Sequence, residues 1–135
     1  MSIKYKGGYK YQLKENYLLN TTLKPVSNIN TSFIELATTG QLKIKVGYAW
    51  DGPTDPAIDT KNFMRGSLVH DALYQLMREG HLPHEHKEFS DRLLVQICKE
   101  DGMSSFRAWY VYQAVHFFGR AKTDPAEDHQ ILTAP

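Results

Sequence analysis

The sequence predicts an α+β fold, a small antiparallel β-sheet followed by three helices. Three observations point to it. Leu42, Ile44 and Val46 alternate with Lys43 and Lys45, the period of two of a half-buried strand. From residue 61 onward apolar residues recur at spacings of three and four in three runs separated by Gly80 and Asp101-Gly102, the helical pattern and its stop signals. Between the two regimes, Gly52, Pro53 and Pro56 exclude regular structure over most of residues 47–60.

The strand regime resolves into a hairpin, residues 33–37 and 42–46, turning through Thr38-Thr39-Gly40-Gln41. Upstream, residues 9–13 and 17–23 are rich in aromatic and branched side chains with Asn and Gly around them, and they are expected to pair with the hairpin into one sheet. The helices are expected over residues 61–79 with Thr60 as N-cap, from Pro83 through Lys99, and from a Ser104 or Ser105 cap to near Gly119. The short connection around Gly80 to Pro83 makes the first two an antiparallel pair.

A chain of 135 residues supports one comfortable core, burying roughly 68% of its unfolded surface, so a single domain over residues 1–120 is expected, with a polar tail over 121–135. Apolar residues at 41% and charged residues at 23% argue against disorder and fibrous repeats. The most apolar stretch, residues 109–118, falls short of the ~20 residues a membrane-spanning helix needs. Met-Ser-Ile-Lys-Tyr-Lys-Gly-Gly at the start has neither the apolar run nor the cleavage site of a signal peptide. Cys98 is the single cysteine and lies in an apolar run, which argues for a buried, inert thiol rather than a nucleophile. The net charge of +1 hides an asymmetry: residues 1–45 carry seven Lys against two Glu, and the remainder nine Lys or Arg against thirteen Asp or Glu.

On the first helix Phe63, Gly66, His70, Leu73 and Met77 share one stripe, so His70 is predicted to face inward. Folding back about the Gly80–Pro83 turn brings Asp91 within about one turn of it, and Asp91 shares its spacing with Leu94 and Cys98. A carboxylate that fixes the tautomer of a histidine leaves the other ring nitrogen free to accept a proton from water. The same pairing also describes a core hydrogen bond that locks two helices. Asp71, about 100° around the helix from His70, can turn toward the 47–60 loop, where Asp51, Asp55 and Asp59 offer the hard oxygen ligands a divalent cation such as Ca²⁺ prefers; such acids also serve as turn formers and caps.

Other clusters carry competing readings. His81, His84 and His86 have imidazoles at spacings that can bind Zn²⁺, but they crowd a turn with no Cys partner, a place normally solvated. Lys4, Tyr5, Lys6, Tyr9, Lys10, Tyr11, Lys14 and Tyr17 mix cations with stacking rings as single-strand nucleic-acid binders do, and equally describe a sheet with one wet face. No nucleic-acid motif accompanies them. Phe106, Trp109, Tyr110, Tyr112, Phe117 and Phe118 cover more than one stripe of the third helix, so either part of it meets a partner or the helix is enclosed.

Gly47-Tyr48-Ala49-Trp50-Asp51-Gly52-Pro53-Thr54 and Arg65-Gly66-Ser67-Leu68-Val69-His70-Asp71-Ala72-Leu73-Tyr74 together resemble a family of short proteins of tailed phages and prophages, a domain of unknown function. Its pattern is D-G-x-S/T-x-P, then R-x-x-x-x-H-D-x-L-Y, then an Asp on the next helix, here Asp91, and an aromatic helix ending in Gly. The resemblance spans residues 33–120 and implies phage or prophage origin without supplying an activity; the small size, the aromatic third helix, the charge asymmetry and the polar tail lead to the expectation of a virion-associated or assembly protein that contacts other phage proteins, in the virion or host cytoplasm. A homo-oligomer is compatible with it. A weaker likeness is to the catalytic helix of phospholipase A2, H-D-x-x-Y. That likeness implies His70 as base, Asp71 as calcium ligand and Asp91 as the group orienting His70; the family's glycine-rich calcium loop and flanking cysteines are missing. The candidate assignments are therefore His70, Asp91 and Tyr74 as catalytic, Asp51 and Asp71 as metal ligands, and Trp50, Gly52, Thr54 and Arg65 as ligand-binding. The enzymatic alternative is a metal-assisted hydrolase of an ester or amide.

Overall fold

The computed structural model describes residues 5–6, 11–50 and 61–118. The α+β arrangement is as the sequence predicts, with antiparallel strands preceding three helices. The chain divides into two compact units, residues 1–52 and 53–135. The polar tail expected from residue 121 lies outside the described residues.

The first unit holds β1 (Tyr5–Lys6), β2 (Tyr11–Leu13), β3 (Tyr17–Asn20), β4 (Ile29–Asn30), β5 (Ile34–Leu36), β6 (Gln41–Ile44) and β7 (Ala49–Trp50). The expected hairpin is β5–β6, with Ile34 opposite Ile44 and Leu36 opposite Leu42. All four are fully buried, whereas Glu35 and Lys43 pair on the outer face and Lys45 reaches Glu35 at 2.8 Å. Val46 departs from the expected alternation. The strand ends at Ile44, the Val46 N–H donates to Asn16 Oδ1 at 2.8 Å, and its side chain is 52% exposed.

The expectation of one sheet is corrected to two. β3 joins the hairpin in the order β3-β6-β5-β4, but β2 lies in a separate sheet of order β1-β2-β7. After β6 the chain turns at Gly47, whose N–H donates to Leu13 O at 2.8 Å, while the Leu13 N–H donates to Tyr48 O at 2.8 Å. Ala49 and Trp50 thereby pair with Gln12 and Tyr11, satisfying the β2 backbone without the hairpin.

The β5–β6 turn depends on Gly40. Its φ is +96°, a region side chains other than glycine rarely enter. Thr21 folds over it: the Thr21 N–H and hydroxyl both donate to Gly40 O, at 2.9 and 2.8 Å, and a Cβ on Gly40 would meet the Thr21 carbonyl.

The second unit consists of α1 (Lys61–Arg78), α2 (Lys87–Glu100) and α3 (Ser105–Phe118). The second helix opens with a single 3₁₀ turn at His84–His86 rather than as α-helix from Pro83, and α1 ends one residue before the expected Glu79. α1 and α2 run antiparallel, since Arg65 meets Asp101 at one end and Tyr74 meets Asp91 nearer the other. The two helices pack closely at Gly66: a Cβ there would lie 2.9 Å from both Cys98 Sγ and a Leu94 methyl, and 3.2 Å from Leu94 O.

α1 is buried well beyond the predicted stripe. Thirteen residues are buried, because Leu68, Val69, Ala72 and Leu76 add a second apolar face to that of Phe63, His70, Leu73 and Met77. Phe63, Leu94, Cys98, Met103, Ala108 and Val111 form one cluster joining the three helices. In α3 the inward positions are thus the small ones, Ala108 and Val111, and the rings of Phe106, Trp109, Tyr110 and Phe117 stay 47–75% exposed. Among the described residues no helix is long and apolar enough to cross a membrane.

Replacing Gly40 with Ala forces both a strained φ and a shift of Thr21, a combination expected to cost about 1–3 kcal/mol. The urea midpoint should fall with an unchanged slope; an unchanged midpoint would show that the turn does not constrain the sheet.

Candidate functional site

The inward stripe of α1 carries His70 and, one turn later, Tyr74; the inward face of α2 carries Asp91 beside Leu94 and Cys98. Asp91 is 0% accessible and His70 only 6%. A carboxylate in such a place requires donors around it, and Asp91 has three. The His70 ring nitrogen Nε2 lies 2.7 Å from Oδ1, the Tyr74 hydroxyl donates to the same oxygen at 2.5 Å, and Lys87 Nζ donates to Oδ2 at 2.8 Å. The imidazole and phenol rings also pack together, centroids 3.9 Å apart.

A carboxylate only accepts, so with a neutral ring Nε2 carries the proton and Nδ1 keeps its lone pair. Nδ1 is 4.0 Å from Asp71 Oδ1, beyond a direct hydrogen bond and within the span of one bridging water. Burial alone would push the Asp91 carboxyl up; the hydrogen bonds from His70, Lys87 and Tyr74 outweigh it and hold the group below its ordinary range. Burial, then Asp91 itself, pushes the Tyr74 phenol upward, so Tyr74 serves as a donor and not as a base.

The structure thus brings together His70, Tyr74 and Asp91, with Asp71 at the edge. It places Arg65 elsewhere on α1, in a cluster with the end of α2. Arg65 Nε lies 3.0 Å from Asp101 Oδ2, and Nη2 lies 3.0 Å from both Asp101 Oδ1 and Glu100 Oε1. This near-buried guanidinium ties α1 to the last turn of α2. Trp50 belongs to the first unit, where it is buried with Tyr11 and Tyr48 as ring neighbours at 5.6 and 6.4 Å. Asp51, Gly52 and Thr54, like Asp55 and Asp59, lie outside the described residues.

Among the described residues no group of three or more His, Cys, Asp or Glu side chains is placed to hold a metal. His81, His84 and His86 therefore do not converge, and no cation site is assigned. Cys98 is fully buried, and burial, reinforced by Asp101 and opposed by Arg65, pushes its thiol up to about 12. Tyr17 is buried in the sheet, so its ring is not available for stacking on bases.

Sequence reasoning missed Lys87, which completes the carboxylate's shell. The available signal was its i, i+4 spacing from Asp91 on one helix. It also missed Glu88, which accepts from Tyr112 OH at 2.5 Å and from Arg92 at 2.6 Å and lies 3.4 Å from His116 Nδ1.

Comparison of the chain with protein-family models, with curated proteins and with solved structures gives no match in any of the three.

Because the folded carboxyl of Asp91 titrates below its unfolded value of about 4, its contribution is complete above that pH and is lost as pH falls toward the folded value. Asp91→Asn should be less stable than the parent at pH 7 by about 2–3 kcal/mol. That gap should narrow on acidification from pH 5 to pH 2; urea midpoints recorded across this range check it, and a gap constant with pH would contradict the ionised, hydrogen-bonded carboxylate.

Proposed function

We propose that the chain is a hydrolase in which Nδ1 of His70 is the general base, oriented through Nε2 by Asp91. The observation that carries this reading is the fully buried Asp91 carboxylate at 2.7 Å from Nε2, which fixes the tautomer and leaves the second nitrogen as an acceptor 4.0 Å from Asp71 Oδ1, beyond a direct hydrogen bond to it. A water bridging Nδ1 and Asp71 would give its proton to the ring as its oxygen attacks an ester or amide carbonyl. The proton would then pass from Nδ1 to the departing alkoxide or amine. Asp91 stabilises the imidazolium formed meanwhile, and Tyr74 holds the carboxylate in place. A divalent cation belongs to the same reading as an accessory group, with Asp71, beside the ring, as its candidate ligand.

A second reading, a phage-encoded virion or assembly protein, is favoured by a different observation. Phe106, Trp109, Tyr110 and Phe117 place large apolar rings on the outer face of α3, and exposed aromatic surface of this kind is typical of protein interfaces. This reading expects the chain to be detected by mass spectrometry in purified phage particles.

The hydrolase reading is tested with chromogenic p-nitrophenyl esters of short and long acyl chains, assayed with Ca²⁺ and with chelator. His70→Asn, checked for folding by circular dichroism, should lose about 100-fold or more of the parent rate. No turnover of any ester by the parent, or full activity in a folded His70→Asn protein, would sink the reading.

A further inference from the structure

α3 buries one side and leaves the opposite side bare. Ala108 and Val111 lie in the cluster that joins the three helices, with Val115 packed against it. Phe106, Tyr110, Gln113 and Phe117 follow one another at spacings of four, three and four, with Trp109 beside them, so they form a second stripe on the far side of the helix. The stripe is about 16 Å long at ~1.5 Å per residue. Next to it α2 and α3 enclose a groove of about 720 Å³ lined by Val95, Ala108 and Tyr112, and Trp109 belongs to both groove and stripe. A ridge of rings and a groove thus share one face of the unit.

We infer that this face binds a second copy of the chain across a twofold axis. Shape favours that occupant, because a ridge beside a groove on one face is self-complementary under a twofold rotation. With the axis between residues 111 and 112, two α3 helices run antiparallel. Phe106 of each copy then stands opposite Phe117 of the other, Tyr110 stands opposite Gln113, and the helix dipoles oppose favourably. In this register Phe117 of one copy reaches the mouth of the other's groove, beside Trp109.

Charge and area point the same way. The sequence of α3 contains no Asp or Glu, and the α2 side of the groove carries both signs, Arg92 and Lys99 with Glu100. Glu88 already engages Arg92, and Arg65 engages Glu100. A strongly acidic or strongly basic partner meets no matching field here, whereas a second copy of a chain with net charge +1 is not repelled. Phe106, Trp109, Tyr110 and Phe117 stand between about half and three quarters bare; at ~150–250 Å² per ring they offer about 500 Å² per copy. Two copies would bury about 1,000 Å² from these rings alone, the lower bound for a specific interface, and the groove walls add to it. The inference does not rest on the hydrolase reading, and it gives the rings that favour the assembly reading a first partner.

Sedimentation velocity of the full chain at micromolar concentrations and above is the test, and a species of two copies is expected. A chain that stays single up to its solubility limit overturns the inference, as does a ladder of larger species, the signature of a head-to-tail contact. Trp109→Glu and Phe117→Glu, each with the helix content of the parent by circular dichroism, should raise the dissociation constant at least tenfold. A folded variant that pairs as the parent does places the contact elsewhere and overturns it. Should neither variant fold, acrylamide quenching of the paired parent decides. Trp50 is buried within its own unit, and Trp109 should be shielded as well; one tryptophan quenched as readily as free indole overturns the inference. Ester turnover is read separately, so a dimer that hydrolyses nothing removes the hydrolase reading and leaves the interface standing.

Discussion

The arrangement turns on one buried charge. Asp91 has no contact with solvent, and an ionised carboxylate removed from water is tolerated only when donors replace its hydration. Those donors come from α1 as His70 and Tyr74 and from α2 itself as Lys87, and Lys87 in turn needs the α3 carbonyls. The requirement of one acid thus fixes where three helices must lie. The apolar cluster around Leu94, Cys98 and Val111 supplies the driving force for packing them, and the polar cluster supplies the register.

The two polar assemblies between α1 and α2 differ in kind. Arg65 with Asp101 and Glu100 lies at the α2 C-terminal end, where Glu100 is half exposed and screened by water and also accepts from Gln96. The cluster at Asp91 is dry, so any change in one donor is felt by the rest. Only the second arrangement leaves an imidazole with one nitrogen committed and one not, and this separates a helix tie from a candidate site.

Much of this was legible in the residues. The helical stripe through Phe63, Gly66, His70, Leu73 and Met77, and the matching spacing of Asp91, Leu94 and Cys98, identify the inward faces because side-chain direction follows from helix geometry alone. The β5–β6 hairpin was legible from the strand period of two, Leu42 and Ile44 alternating with Lys43 and Lys45. What escaped depends on long-range pairing. Ala49 and Trp50 read as loop because the neighbouring Gly and Pro residues dominate local preference, and only the backbone groups of Tyr11 and Gln12 recruit them into a sheet. Lys87 escaped because a lysine in a first helical turn reads as solvated, and the acceptors that bury it arrive from a helix about thirty residues further along.

Gly66 gives the site a gauge. With only hydrogen at that position, the backbone of α1 approaches Leu94 and Cys98 closely, and one turn farther on the gap between the helices is one that an imidazole and a one-methylene acid can bridge. A Cβ at 66 would fall 2.9 Å from Cys98 Sγ and from a Leu94 methyl, so a larger residue there would press the two helices apart and loosen the 2.7 Å approach of the Asp91 carboxylate to Nε2. The smallest side chain on the helix therefore sets how closely the acid can face the histidine, and through it how firmly the imidazole is aimed.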